Sequence, residues 1–338
     1  MTLLILAFGI SLFCSASIAV LRPSFLGMDE ISGVQKFHDR PVPRIGGLAV
    51  ILGICSVAPF MPEPSRDILI FLLLAALPVF LAGFYEDIRR CATPAFRLAM
   101  SILSGFLFIL FTGQPLVESG FSVLDPILGF PLISWMITAL GVAAVINAVN
   151  IVDGFNGLAP GFGVSSMIVL AAASAMVGDG PVFLVCLVLA SALSGFLVVN
   201  YPRGYLFLGD AGAYLLGFLL AAVMLCLVGR NPGEISPVAL LLVICYPVWE
   251  TVFAIARKIR RPRHSPSRPD GSHLHMLVYG RVVRRLLRRS ALFGERIHAN
   301  ALTGLSMLGL PVLSHILFFI SDRSSDQALL CILAIGAL

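Results

Sequence analysis

The chain has 338 residues, 58% of them hydrophobic and only 12% charged, with a net charge of +5 and a mean hydropathy of +0.98. Soluble domains carry about 25% charged residues, so a soluble enzyme, a secreted disulfide scaffold and a disordered chain are all excluded. What remains is an all-α polytopic membrane protein, because a helix satisfies its backbone polar groups within one segment when no water is present.

An apolar helix needs about 20 residues to cross roughly 30 Å of hydrocarbon. Apolar stretches bounded by charge predict ten spans, at 3–21, 45–61, 68–85, 96–113, 131–149, 160–177, 181–199, 212–229, 237–256 and 300–320. Residues 328–338 are apolar over about half a crossing, as an eleventh helix or an interfacial tail. The first run lacks a basic leader and a cleavage signal and reads as a span. The chain reads as a single domain, 1–338, with 257–299 as its longest loop. All but three of the 23 Lys and Arg fall after odd-numbered spans; the exceptions are Arg66, Arg230 and Arg323. By the positive-inside rule those loops are cytoplasmic and the N-terminus is periplasmic. The seven cysteines are scattered without metal-ligand spacing and read as small apolar fillers.

The polar residues concentrate in the same loops. Loop 1 reads KFHDRPVPRIGG from Lys36 to Gly47, with Lys36, Arg40 and Arg44 as candidate phosphate contacts ahead of a glycine pair. Span 3 leaves the bilayer as GFYEDIRR, which sets Glu86 beside Asp87. Adjacent carboxylates repel unless a cation lies near them, so the pair suits a divalent metal or a general base, against a plain helix end paired with arginines. Span 5 ends as NAVNIVDGFNGLA from Asn147 to Ala159. Asn147, Asn150 and Asp153 recur every three residues and form a helical polar stripe that runs into a Gly-rich turn whose backbone can approach a ligand closely. The loop after span 7, NYPRGYLFLGDAG, places Phe207 three residues before Asp210. The late loop holds His273 and His275 near Asp270, and then Arg281, Arg284, Arg285, Arg288 and Arg289. The arginines suit anionic headgroups or plain topology, and the two histidines suit a site.

A transporter would place ionisable groups near the bilayer midplane. The midplane candidates here are Glu250, Ser191, Ser194 and His315, whereas the acids gather at helix ends on one face, as in an enzyme working at the membrane surface.

With these blocks in view, the chain resembles the polyprenyl-phosphate N-acetylhexosamine-1-phosphate transferase family. PRIGG (43–47), GFYED (83–87), the Asn147 to Gly161 segment and FLGD (207–210) carry the resemblance, and the N-x-x-N-x-x-D-G-x-x-G-L run is its most specific part. The resemblance implies transfer of a sugar-1-phosphate from a UDP-N-acetylhexosamine to undecaprenyl phosphate, with release of UMP, as the first step of cell-surface polysaccharide synthesis. It implies a Mg2+ cofactor, with Mn2+ as an alternative, in active-site loops on the cytoplasmic face of the bacterial inner membrane. No nucleic-acid partner is implied, and a homodimer is compatible with it.

By the family's matching positions, Asn150 and Asp210 would contact the metal and Asp153 would stand in the same polar wall. Asn156 and Phe207 would meet the uracil, with Asn147 on the substrate side. Glu86 and Asp87 would position or deprotonate the lipid phosphate, and His273 and His275 would touch the donor. The family usually has two aspartates where this chain has Glu86 and Asp87. His-Leu-His, in place of adjacent histidines, favours the N-acetylglucosamine branch over the phospho-N-acetylmuramoyl-pentapeptide transferases. The other alternative is a non-catalytic lipid-carrier transporter.

Overall fold

The computed structural model describes residues 1–22, 27–29, 41–121, 123–260, 273–289, 296–321 and 325–337. It is a helical bundle: α1 (Thr2–Leu21), α2 (Gly46–Val57), α3 (Ser65–Arg89), α4 (Pro94–Thr112), α5 (Pro131–Val152), α6 (Leu158–Met176), α7 (Gly180–Asn200), α8 (Gly209–Arg230), α9 (Cys245–Arg260), α10 (Arg296–Met307), α11 (Gly309–Ile320) and α12 (Ser325–Ala337). Single helical turns at Asp125–Leu128 and Pro237–Leu240 and a short helical stretch over 274–289 complete the described helices. A two-residue antiparallel pair, β1 (Met28–Asp29) with β2 (Val42–Pro43), was not visible in the hydropathy pattern; it sets Asp29 opposite Val42.

Among the described residues eight helical runs are long and apolar enough to cross a membrane, α10 and α11 counting as the one run His298–Ile320. The predicted spans agree with these runs except at two places. The second span is short, Gly46–Phe60, and the ninth is broken. Outward-facing Ile5, Phe13, Leu81, Leu110, Leu132 and Leu140 are exposed, as a surface solvated by lipid tails requires.

The centre of the bundle is α8, which is buried along almost its whole length, whereas α1 buries only Ala7, Ser11 and Ser15. Between Asp210 and Arg230 α8 has no charged residue, so nothing opposes its enclosure. Without a hydrophobic drive between helices in lipid, close backbone approach supplies the attraction. A Cβ on Gly83 of α3 would lie 2.6 Å from the Ala211 Cα, and one on Gly217 would lie 2.6 Å from the Ile146 Cα of α5. α3 and α5 therefore flank α8 at backbone distance, α4 packs on both of them, and α1 packs on α2 and α7.

The expected continuous span at 237–256 is one turn at Pro237–Leu240, a run of turns over 241–244, and then α9. Pro247 explains the break: it has no N–H, and its ring crowds the carbonyl four residues back, that of Val243. That carbonyl, freed inside an apolar bundle, accepts from His315 Nε2 at 3.1 Å and from Ser166 Oγ at 3.3 Å. The remaining midplane serines return to their own helices, Ser191 to the Leu187 carbonyl and Ser194 to the Ala190 carbonyl. His315 thus satisfies a freed backbone carbonyl, and Ser191 and Ser194 are taken up by their own helix.

Leaving a buried carbonyl short of a donor costs about 1–3 kcal/mol. His315→Leu is therefore expected to lower the thermal unfolding midpoint in detergent, and His315→Gln, which keeps a donor, to recover most of the loss. Equal midpoints for wild type and His315→Leu would show that packing alone holds the break.

Candidate active site

The C-terminal ends of α3, α5 and α7 meet the N-terminal ends of α2, α4, α6, α8 and α10 around one group of polar residues. Asp87, in the last turn of α3, has no exposure to solvent. Its Oδ1 accepts the Asp210 N–H at 2.8 Å and its Oδ2 the Ala211 N–H at 2.9 Å, so it caps α8. Arg44 Nε lies 3.2 Å from Asp87, and its other nitrogens lie 3.4 Å from Asp210 and 3.9 Å from Asp29. Arg97, in the first turn of α4, lies 3.7 Å from Asp210, and Asn150 Nδ2 donates to Asp210 Oδ1 at 3.1 Å. Gly209 makes the junction fit: it has φ +76°, and a Cβ there would lie 1.9 Å from the Arg44 carbonyl oxygen. Only glycine tolerates both conditions.

These residues border a cavity of about 250 Å³ lined by Asp29, Arg44, Asn150, Asp153, Asn156 and Phe207, among others. Backbone bonds fix the Phe207 side of the wall. The Phe207 N–H donates to the Pro43 carbonyl at 2.9 Å, and the Phe207 carbonyl accepts from the Gly46 N–H at 2.9 Å. On the opposite wall three side-chain amides hold the turn between α5 and α6. Asn156 Nδ2 donates to the Pro202 carbonyl at 3.0 Å, Asn200 Oδ1 accepts the Gly157 N–H at 2.6 Å, and Asn300 Oδ1 accepts the Asn156 N–H at 2.8 Å.

His273 and His275 lie together, their rings stacked with centroids 5.4 Å apart. Both are gathered by Glu250 of α9. Glu250 Oε1 lies 3.2 Å from His275 Nδ1, Oε2 lies 3.5 Å from His273 Nδ1, and the carboxylate also accepts the Leu274 and His275 N–H groups. The His275 ring meets Phe155 edge-on at 5.6 Å, and Phe155 lines the cavity. The histidines thus adjoin the cavity through Phe155 and do not line it.

The structure unites Arg44, Asn150, Asp153, Asn156, Phe207 and Asp210, with Asp87 directly behind Asp210. It separates two expected members from them. Asn147 Nδ2 turns back to the Ala143 carbonyl of its own helix at 2.7 Å, because a half-buried amide on an apolar helix takes the nearest carbonyl. Glu86 accepts the Ala92 N–H at 2.8 Å and closes the turn after α3; neither residue lines the cavity. Lys36 and Arg40 lie outside the described residues, as does Asp270. The sequence reading missed Asp29, Arg97, Asn200, Glu250 and Asn300 as site members. Their partners are tens of residues away, and the one signal available for Arg97 and Glu250 was a charge at the end of an apolar run.

Burial pushes the Asp153 carboxyl up from 3.8 to about 7, with the nearby Asp210 charge adding to the rise and Arg44 opposing it. The folded protein therefore holds more protons than the unfolded chain between about pH 4 and pH 7. Asp153 contributes stability at acid pH that is lost as the pH rises through about 7. In chelator-treated protein, Asp153→Asn is expected to unfold at a higher temperature than wild type at pH 8, with the difference vanishing near pH 4. A wild-type midpoint at or above that of the variant at pH 8 would contradict the proton uptake.

Residues 69–228 match the family model described as glycosyl transferase family 4. A Bacillus subtilis probable undecaprenyl-phosphate N-acetylglucosaminyl 1-phosphate transferase is 25% identical over 256 residues, covering 73% of this chain and 68% of the relative. A Yersinia pestis undecaprenyl-phosphate α-N-acetylglucosaminyl 1-phosphate transferase is 27% identical, covering 80% and 74%. A Mycolicibacterium smegmatis decaprenyl-phosphate N-acetylglucosaminephosphotransferase is 30% identical, covering 82% and 75%. The matched segment runs from α3 through α8 and so contains the capped helix, the Asn150 stripe and the Asp210 turn. The chain belongs to glycosyl transferase family 4, among the polyprenyl-phosphate N-acetylhexosamine-1-phosphate transferases.

Proposed function

We propose that this phosphoglycosyl transferase moves N-acetylglucosamine-1-phosphate from its UDP-sugar to undecaprenyl phosphate, releasing UMP, as the first step of a cell-surface polysaccharide. The observation that carries the reading is the convergence of Asp210, Asn150 and Asp153 with Arg44 at one cavity between helix ends, with Arg97 paired to Asp210. The names of the three relatives support the sugar and the lipid class. The loop charges support a cytoplasmic site in a bacterial inner membrane, with the N-terminus periplasmic.

The donor set suits magnesium. Carboxylate and amide oxygens are hard ligands, and the Asp153 and Asp210 carboxylates stand near enough for the charge of one to oppose that of the other. Among the described residues no three acidic, histidine or cysteine side chains form a metal cage. That fits an ion that takes one or two carboxylates and fills its octahedron with water and substrate phosphates. Asp210 and Asn150 would hold it, and when bound it neutralises charge on the donor diphosphate.

The protein's own groups account for the rest. Arg44 faces the phosphates as a fixed cation, Arg97 holds Asp210 from the α4 side, and Asn156 and Phe207 receive the uracil. A lipid phosphate is already ionised near neutrality, so it needs orientation more than a base. Asp87, with both oxygens engaged on α8, supports the reaction by fixing Asp210. An apolar groove of about 390 Å³ between α5, α8 and the broken ninth span, lined by Val145, Ala148, Met224, Leu241 and Val252 among others, offers the isoprenoid tail a surface.

UMP release by detergent-purified protein with undecaprenyl phosphate and Mg2+ tests the reading. Release is expected with UDP-N-acetylglucosamine, and to be much weaker with UDP-N-acetylgalactosamine or UDP-N-acetylmuramoyl-pentapeptide. Asp210→Asn is expected to lower turnover at least about 100-fold while the protein stays folded. Full Mg2+-dependent turnover by that variant would sink the site assignment.

A further inference from the structure

The turn that carries Asn156 is gripped from a direction the reaction does not account for. Asn300, in α10, is 4% exposed, and its Oδ1 accepts the Asn156 N–H at 2.8 Å. One helical turn on, Gly304 brings the α10 backbone against the same residue: a Cβ there would lie 2.1 Å from the Asn156 carbonyl oxygen. A single helix face therefore takes up both the N–H and the carbonyl of Asn156, the first by supplying an acceptor and the second by having no side chain. Other contacts on this turn come from Asn200 and Pro202, from Tyr201 and Gly204, and from the His275 ring on Phe155. α10 is the first long helix after the histidine loop, and Asn300 itself borders the cavity.

We propose that Asn300 is a positioning residue for the nucleobase of the donor, with Gly304 as the contact that lets it reach. The inference rests on the transferase reading, in which Asn156 meets the uracil. Asn156 sits in a turn whose N–H has no helical partner; the Pro202 carbonyl anchors its side-chain amide, and Asn300 anchors the backbone from which that side chain projects. Without Asn300 that N–H is left buried and unpaired, and the turn relaxes toward solvent. Such a relaxation moves the base contact. It leaves Asp210, Asn150 and Arg44, and hence phosphate transfer, in place.

The test uses the full chain in detergent with Mg2+. UMP binding is titrated calorimetrically, and the KM values for UDP-sugar and undecaprenyl phosphate are measured separately. Asn300→Ala is expected to weaken UMP and raise the donor KM about tenfold, equivalent to ~1.4 kcal/mol. The lipid KM and kcat should stay within about twofold. Asn300→Asp, which keeps an oxygen to accept the Asn156 N–H, should restore UMP affinity. If Asn300→Ala fails to fold, Asn300→Gln, whose longer side chain misplaces the acceptor, carries the same expectation. UMP affinity and donor KM unchanged in a folded variant would overturn the proposal. So would an equal loss on both substrates, since that marks a merely structural residue. A wild-type protein that binds no UMP would instead overturn the transferase reading, so the wild-type titration separates the two failures.

Discussion

A carboxylate that water does not reach holds the N-terminus of the central helix. Burying Asp87 costs several kcal/mol unless its charge is met on all sides. It is met by two backbone N–H groups of α8, by the positive end of that helix's dipole, and by the guanidinium of Arg44. Because each of these partners comes from a different part of the chain, the interaction ties α3, α8 and the strand-loop around Arg44 into one junction. Asp210 follows from it: the residue whose N–H is captured by Asp87 has its own carboxylate turned to Asn150, Arg44 and Arg97. The acidic wall is thus a consequence of how α8 is capped.

Hydropathy was enough to read the membrane helices, since lipid forces helix formation wherever about 20 apolar residues run together. It failed at the ninth span because composition does not register a missing N–H; one proline in an apolar run changed the geometry without changing the hydropathy. In the site, the sequence singled out Asn150, Asp153, Asn156, Phe207 and Asp210, and the structure sets these five around one cavity. It overreached at Asn147, where the same helical stripe continues one turn inward and the amide finds its own helix. Glu86 and Asp87 show the limit of adjacency. Neighbours on a helix point about 100° apart, so one reaches the junction and the other closes a turn.

The histidine pair was visible as a cluster, but the residue that organises it was not. Glu250 looked like an isolated charge toward the cytoplasmic end of a span, a position that argues only weakly for transport. Its carboxylate instead takes two imidazoles and two backbone N–H groups from residues about 25 positions later. Asn200 and Asn300 were invisible for the same reason: a side-chain amide that satisfies a distant backbone group carries no local pattern.

The proposed reaction joins a donor that cannot enter hydrocarbon to an acceptor that cannot leave it. A charged diphosphate is excluded from the bilayer core by its desolvation cost, and an isoprenoid tail is held there by its apolar surface. The two must therefore meet at the depth where helices end. The apolar groove extends along α5 to Ala148 and the polar cavity reaches back to Asn150, so the last turn of α5 belongs to both. The broken ninth span serves the same division. Both of its parts line the groove, the first with Leu240 and Leu241 and the second with Val248 and Val252, and the second also presents Glu250 to the histidines beside the cavity. Pro247 leaves the Val243 carbonyl without its helical donor, and His315 and Ser166 satisfy it.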